Sequence, residues 1–104
     1  MSRRGDDGDV SVVYLVLARI PAEGVAVFRE YENRVLPLLG RHQGSLERRL
    51  VSGDGTVEAH LVSFPSSAYF DGYRDDPERD LHRPLLDASG AVVELLELHD
   101  DRAI

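Results

Sequence analysis

Residues 45–64 read SLERRLVSGDGTVEAHLVSF, and the way this stretch folds back on itself decides the architecture. Two extended runs flank S-G-D-G, so the segment reads as a β-hairpin. With Asp54 and Gly55 as the turn residues, Gly53 opposes Thr56, Leu50 opposes Ala59 and Arg48 opposes Leu61. On the other face Val51 opposes Glu58, Arg49 opposes His60 and Glu47 opposes Val62. The first face carries Leu46, Leu50, Val57, Ala59 and Leu61 and is mainly apolar, so it is expected to pack against helices. Arg48 is its misfit and must reach an edge to stay solvated. The second face carries Glu47, Arg49, Val51, Glu58, His60, Val62 and Phe64, mixes charge with hydrophobes, and is expected to look away from the helices. A slip of one residue would exchange the two sets, which pins the register.

Outward from the hairpin, SVVYLVLARI (11–20) is rich in β-branched and aromatic residues and reads as a strand stopped by Pro21. Residues 22–44 then place Phe28, Tyr31, Val35, Leu38 and His42 at three- and four-residue steps, the stripe of an amphipathic helix. Pro37 must kink or divide that helix, and Gly44 suits a left-handed cap at its end. After the hairpin, Pro65 ends the strand and Ser66 is a good N-cap for a helix over SAYFDGYRDD. Asp75-Asp76-Pro77 interrupts it, ERDLHRPLLDA forms a further short helix stopped near Gly90, and AVVELLELH (91–99) is the last strand. The order strand, helix, strand, strand, helix, strand is the βαββαβ ferredoxin-like arrangement: an α+β fold whose helices cover one face of a four-stranded antiparallel sheet. Residues 11–104 are expected to form this one domain behind a disordered tail, residues 1–10.

A sheet with one wet face alternates cleanly along its strands. VVYLVL and VVELLEL do not: apart from Glu94 and Glu97 they are apolar on both faces. The face away from the helices therefore also needs cover. A second copy of the chain, sheet against sheet, is the economical answer, and the expected assembly is a homodimeric α/β barrel with a closed interior.

Bulk properties narrow the functional classes. The chain has 104 residues, is 42% hydrophobic and carries a net charge of −7, which fits a globular domain that repels phosphate backbones, so no nucleic-acid partner is expected. No apolar run approaches the length of about 20 residues that spans a bilayer, and no membrane association is expected. With no cysteine there is no thiolate nucleophile, disulfide or cysteine-ligated metal, and the composition suits a cytoplasmic location.

FREYENRVLPLLGRHQGSLERRL together with EAHLVSFPSSAYFDGYRDDPERDLHRPLLDASGA resembles the dimeric α+β barrel superfamily, in an uncharacterised branch beside the antibiotic biosynthesis monooxygenases. The likeness spans about residues 11–99. It rests on the proline before the HQG break, the strand ending in SFPS, and the aromatic helix leading to a DP step. Gln43-Gly44 stands where the family usually has a glycine pair. The tryptophan and asparagine often associated with cofactor-independent quinone-forming members are not both available, because the chain has no Trp.

Glu58 and His60 point the same way, with Arg49 beside His60. They are the candidate catalytic group: His60 as acid or base, tuned by Glu58 and Arg49. The alternative is a set of cross-strand ion pairs lining a barrel mouth. Tyr14, Phe64 and Glu94 are candidate ligand-binding residues of the barrel interior, although the pattern does not set the face of Tyr14. Were Glu94 on the His60 face, His60 and two carboxylates would form a metal donor set, but no metal and no cofactor is expected. Haem binding has only the histidines in its favour. His42 reads as a cation at a helix end, His99 as a surface ion pair with Asp100-Asp101, and DDPERD as a solvated turn. Two functions fit. One is a binding or accessory protein holding a small organic molecule in the barrel. The other, implied by the resemblance, is a cofactor-independent monooxygenase or isomerase acting on an aromatic or polyketide-like substrate.

Overall fold

The structure, a computed structural model, describes residues 11–99; the N-terminal tail and the Asp100-Asp101 pair lie outside the described residues. Strand β1 (Val12–Arg19) leads through a 3-10 turn (Ala22–Gly24) into helix α1 (Val25–Val35). A 3-10 segment (Leu36–His42) follows, then the hairpin β2 (Ser45–Val51) and β3 (Val57–Phe64). Helices α2 (Ser67–Arg74) and α3 (Pro77–Ser89) precede strand β4 (Val92–Leu98). The sheet is antiparallel in the order β2-β3-β1-β4, the ferredoxin-like topology.

Pro37 divides the first helical region: α1 ends at Val35 and the chain tightens into the 3-10 segment. The left-handed residue that closes this segment is Gln43, at φ 59°, and not Gly44. Gly44 is required for space, since a Cβ there would lie 2.6 Å from the Phe64 ring. Gly24 is likewise a point of close approach, where the start of α1 meets the backbone of Ser89 at the end of α3. Ser66 occupies the cap position of α2 but its side chain makes no cap bond. Asp76 does cap α3, accepting from the Glu78 amide at 2.9 Å. The DDPERD run is therefore not simply a solvated turn: Asp76 is buried and is also held by His42 at 2.7 Å and Arg41 at 3.3 Å. His42 does sit at a helix end, and its partner there is this carboxylate.

The hairpin keeps the expected pairing through Arg48↔Leu61, Arg49↔His60, Leu50↔Ala59 and Val51↔Glu58. Its turn is centred one residue earlier, with Gly55 N–H donating to the Ser52 carbonyl and Asp54 Oδ1 accepting from Ser52, the Thr56 amide and the Thr56 hydroxyl. A bulge between Leu46 and Arg48 shifts the far end, so that Leu46, not Glu47, opposes Val62.

The facing of the hairpin is the reverse of the expectation. Glu58, His60, Val62 and Phe64 are buried beneath the helices, while Leu50, Val57, Ala59 and Leu61 lie on the face away from them. Register and facing are separate questions. Pairing fixed which residues travel together, but apolarity could not choose between two faces that are both rich in hydrophobes. Val12, Tyr14 and Ala18 of β1 share the helix side with Phe64. There Tyr14, Leu38, Leu39, Val62, Phe70 and Tyr73 close the larger part of the core. A smaller cluster of Ala18, Ile20 and Phe28 closes the other end with Val25 and Leu86.

Candidate functional site

Between α1, α2 and the helix side of the sheet lies a cavity of about 190 Å³. Val16, Val35, Leu36, Val62, Val93 and Leu95 give it apolar walls, Phe70 and Tyr73 supply aromatic rings, and His60, Glu32, Arg74 and Arg79 supply polarity. β1 and β3 carry the floor, and the exposed β4 residues Val93 and Leu95 lie at its rim.

His60 is the hub. Its Nε2 lies 2.8 Å from Glu58 Oε1, and its Nδ1 lies 3.3 Å from Glu32 Oε2. The side chain of Glu58 has no exposed surface, and those of His60 and Glu32 are nearly as enclosed. Arg49 reaches across from β2 and donates Nε and Nη2 to the two Glu58 oxygens at 3.1 and 3.4 Å. Arg29 of α1 adds a more distant cation at 3.6 Å. Burial alone would raise the pKa of Glu58, but the hydrogen bonds from Arg49 and His60 outweigh it and leave the net shift downward. Glu32 behaves oppositely. Burial, reinforced by the charge of Glu58, pushes its carboxyl up to about 7 against the opposing pull of Arg49 and Arg79.

Ionised Glu58 only accepts, so Nε2 of His60 carries a hydrogen. Glu32, 3.3 Å from Nδ1, has its carboxyl raised to about 7 and so favours its protonated form more than an ordinary carboxylate does. Glu58 thus orients and polarises the ring, and of the three residues His60 and Glu32 line the cavity while Glu58 does not. Glu32, Glu58 and His60 also have donor atoms within 4.8 Å of one another and are the described residues best placed to hold a cation. The guanidinium of Arg49 already supplies positive charge to Glu58.

The other sequence candidates are distributed differently. Tyr14 is buried on the helix side, stacked on Phe70 at 4.0 Å, and its hydroxyl donates to Glu97 at 3.4 Å, not to the Arg49–His60 group. Phe64 is a core residue against Phe70 and Tyr73 and does not line the cavity. Glu94 lies on the opposite face, opposite Leu17, in an exposed ion pair with Arg19 at 2.8 Å. It cannot serve His60; the second carboxylate comes from Glu32. Glu32 sits at i+4 from Phe28, between Tyr31 and Val35 on the apolar stripe of α1, and an acid on such a stripe was the available signal. Arg79 gave no signal within its charged run. His99 pairs with Glu97 at 3.2 Å.

No protein-family model and no curated protein matches the sequence. Solved structures do. SnoaB, a cofactor-independent oxygenase from Streptomyces nogalater, superposes with a TM-score of 0.74 at 15% identity, over 91% of this chain and 96% of that one. A Nitrosomonas europaea protein assigned to the antibiotic biosynthesis monooxygenases gives 0.74 at 12% identity, over 91% and 94%. Rv0793 from Mycobacterium tuberculosis gives 0.68 at 14%, over 89% and 99%. The fold is that of the antibiotic biosynthesis monooxygenases, as the resemblance in the sequence implied. At these identities the likeness is one of fold. No helix among the described residues is long and apolar enough to cross a membrane.

Proposed function

We propose that this protein binds a small, flat organic molecule in the cavity beneath its helices and moves a proton on it through His60. The observation that carries the reading is the Glu58–His60–Glu32 chain, which ends at an apolar cavity walled by Phe70 and Tyr73. Glu58 and Arg49 position His60, and His60 with Glu32 takes and returns the proton. Removing a proton from a phenol or an activated C–H leaves an electron-rich anion. That anion either regains its proton elsewhere, an isomerisation, or reacts with oxygen, the chemistry named for SnoaB.

A narrower reading, binding without chemistry, has one observation in its favour: both ring nitrogens of His60 face carboxylates. Proton exchange separates the two. Phenols and 1,3-diketones in D2O, followed by NMR with oxygen uptake measured in parallel, are expected to exchange faster with the protein. His60→Gln is expected to lose about 100-fold or more of that rate while ligand affinity stays within a few-fold. A panel that shows binding but neither exchange nor oxygen uptake would remove the proton step and leave the binding protein.

The assembly belongs to the same proposal. Leu50, Leu96 and Leu98 are 50%, 47% and 40% exposed on the face away from the helices. They continue the row of Leu15, Leu17 and Leu61. A second copy of the chain packed on that face gives this apolar surface its cover.

A further inference from the structure

We propose that the cavity takes a ligand bearing an ionised oxygen, a carboxylate or an enolate- or phenolate-type oxyanion, and that Arg79 receives it. The inference deepens the reading above and rests on it in placing an organic ligand in this cavity. Arg79 lies in the first turn of α3, where the helix dipole disfavours a cation. Its guanidinium carbon sits 4.6 Å above the Tyr73 ring. Nη1 donates to the Arg74 carbonyl at 3.2 Å and Nη2 to the Tyr31 hydroxyl at 3.3 Å. Both acceptors are neutral. Nε is buried and has no hydrogen-bond partner among the described residues.

The contrast with the other arginines decides the point. Arg19, Arg29, Arg34, Arg41, Arg49 and Arg74 each meet a carboxylate within 4.0 Å. Arg48 and Arg83 meet none among the described residues, and both are exposed to water. Among the described residues Arg79 combines a position on the cavity wall, an enclosed donor and no carboxylate partner. A half-buried cation, with its Nε enclosed and its plane held by an aromatic ring and two neutral acceptors, is preorganised for an incoming oxyanion, because guanidinium N–H groups match oxyanion geometry. Val16, Val35, Leu36, Val62, Val93 and Leu95 then enclose the carbon skeleton. The ligand is an amphiphilic anion, charged at the Arg79 end and apolar in its body.

Calorimetric titration of the full chain tests this with 2-naphthoate, neutral naphthalene-2-carboxamide, and 4-nitro-1-naphthol in its ionised form at about pH 8. 2-Naphthoate is expected to bind at least about tenfold more tightly than the carboxamide. Arg79→Gln should abolish that preference and leave carboxamide affinity within about twofold, and Arg79→Lys should restore part of it. Ionised nitronaphthol matching 2-naphthoate identifies a phenolate or enolate as sufficient, and a gain confined to 2-naphthoate identifies a carboxylate. Carboxamide binding as tight as 2-naphthoate, unchanged in Arg79→Gln, overturns this inference alone and leaves the proton-transfer reading standing. Failure of all three probes overturns both. Loss of exchange in His60→Gln with the charge preference intact keeps the two readings apart.

Discussion

The two faces of the sheet differ in what they carry. The helix side buries Glu58, His60 and Glu32 in one cluster, with a hydrogen bond between Glu58 and His60 and Glu32 3.3 Å from the other ring nitrogen, beside aromatic core. The other side is largely aliphatic, with Arg48, Ser45 and Ser63 among its leucines and valines, and its ion pair Arg19–Glu94 is solvated. Charge lies inside and leucine lies outside, opposite to the usual sorting. Each half explains the other. The buried charges persist because they are paired among themselves, and the outer leucines fit a surface that meets another apolar surface.

The largest effect is expected on the inner face. Glu58→Ala leaves Arg49 and the His60 Nε2–H without their acceptor in a buried setting, and such a loss costs about 3 kcal/mol. Urea unfolding measures it. A cost below about 1 kcal/mol would mean that water already screens this cluster, and the contrast between the faces would fail.

Next comes the outer face. Leu96→Glu puts a carboxylate midway along the edge strand of the aliphatic surface, opposite Leu15. It is expected to weaken self-association about 100-fold, equivalent to about 2.7 kcal/mol, with each protomer still folded. Sedimentation velocity over a concentration series reads this directly. A wild-type chain that stays monomeric at micromolar concentration would break the idea that the outer leucines are covered.

These faces also mark how far the sequence could be read. Strand order, helix positions, the Pro37 break and the hairpin pairing from Arg48 to Val51 followed from local signals, namely alternation, helical stripes and proline, while the turn centre and the bulge at Glu47 did not. Facing did not, because it depends on what each face meets. Val57, Ala59 and Leu61 look like core residues in isolation, and nothing local says that α1 offers Glu32 and Arg29 to the other side. The candidate site was legible in the same proportion. Arg49, Glu58 and His60 are neighbours in the hairpin register, so pairing alone brought them together. Glu32 and Arg79 arrive from helices distant in sequence, and Glu94 was misplaced because its facing was open.

A smaller effect separates the two carboxylates of the inner face. The fold raises the pKa of Glu32 from 4.5 to about 7, so it favours the protonated acid. The stability tied to that proton is fully present below about pH 4.5 and is lost as the pH rises through about 7. Glu32→Gln stays neutral throughout. The wild-type Tm should therefore fall relative to the variant between those limits. Glu58 and Asp76, whose pKa values are lowered, contribute stability that disappears only toward acid pH, below the range compared. A constant offset across this range would place Glu32 in contact with water.

The smallest effect is the most diagnostic of cover. Arg19 and Glu94 are more than half exposed, so a double-mutant cycle on a solvated pair should return less than about 0.5 kcal/mol. That figure applies to a protomer alone, which the Leu96→Glu background supplies. In the assembled protein the same pair borders the covered surface, loses part of its water, and its coupling should rise above the monomer value. Equal coupling in the two backgrounds would place Arg19 and Glu94 outside any contact. The second copy would then cover only the Leu15, Leu61 and Leu96 end of the sheet and leave the Val57 and Val92 end to solvent.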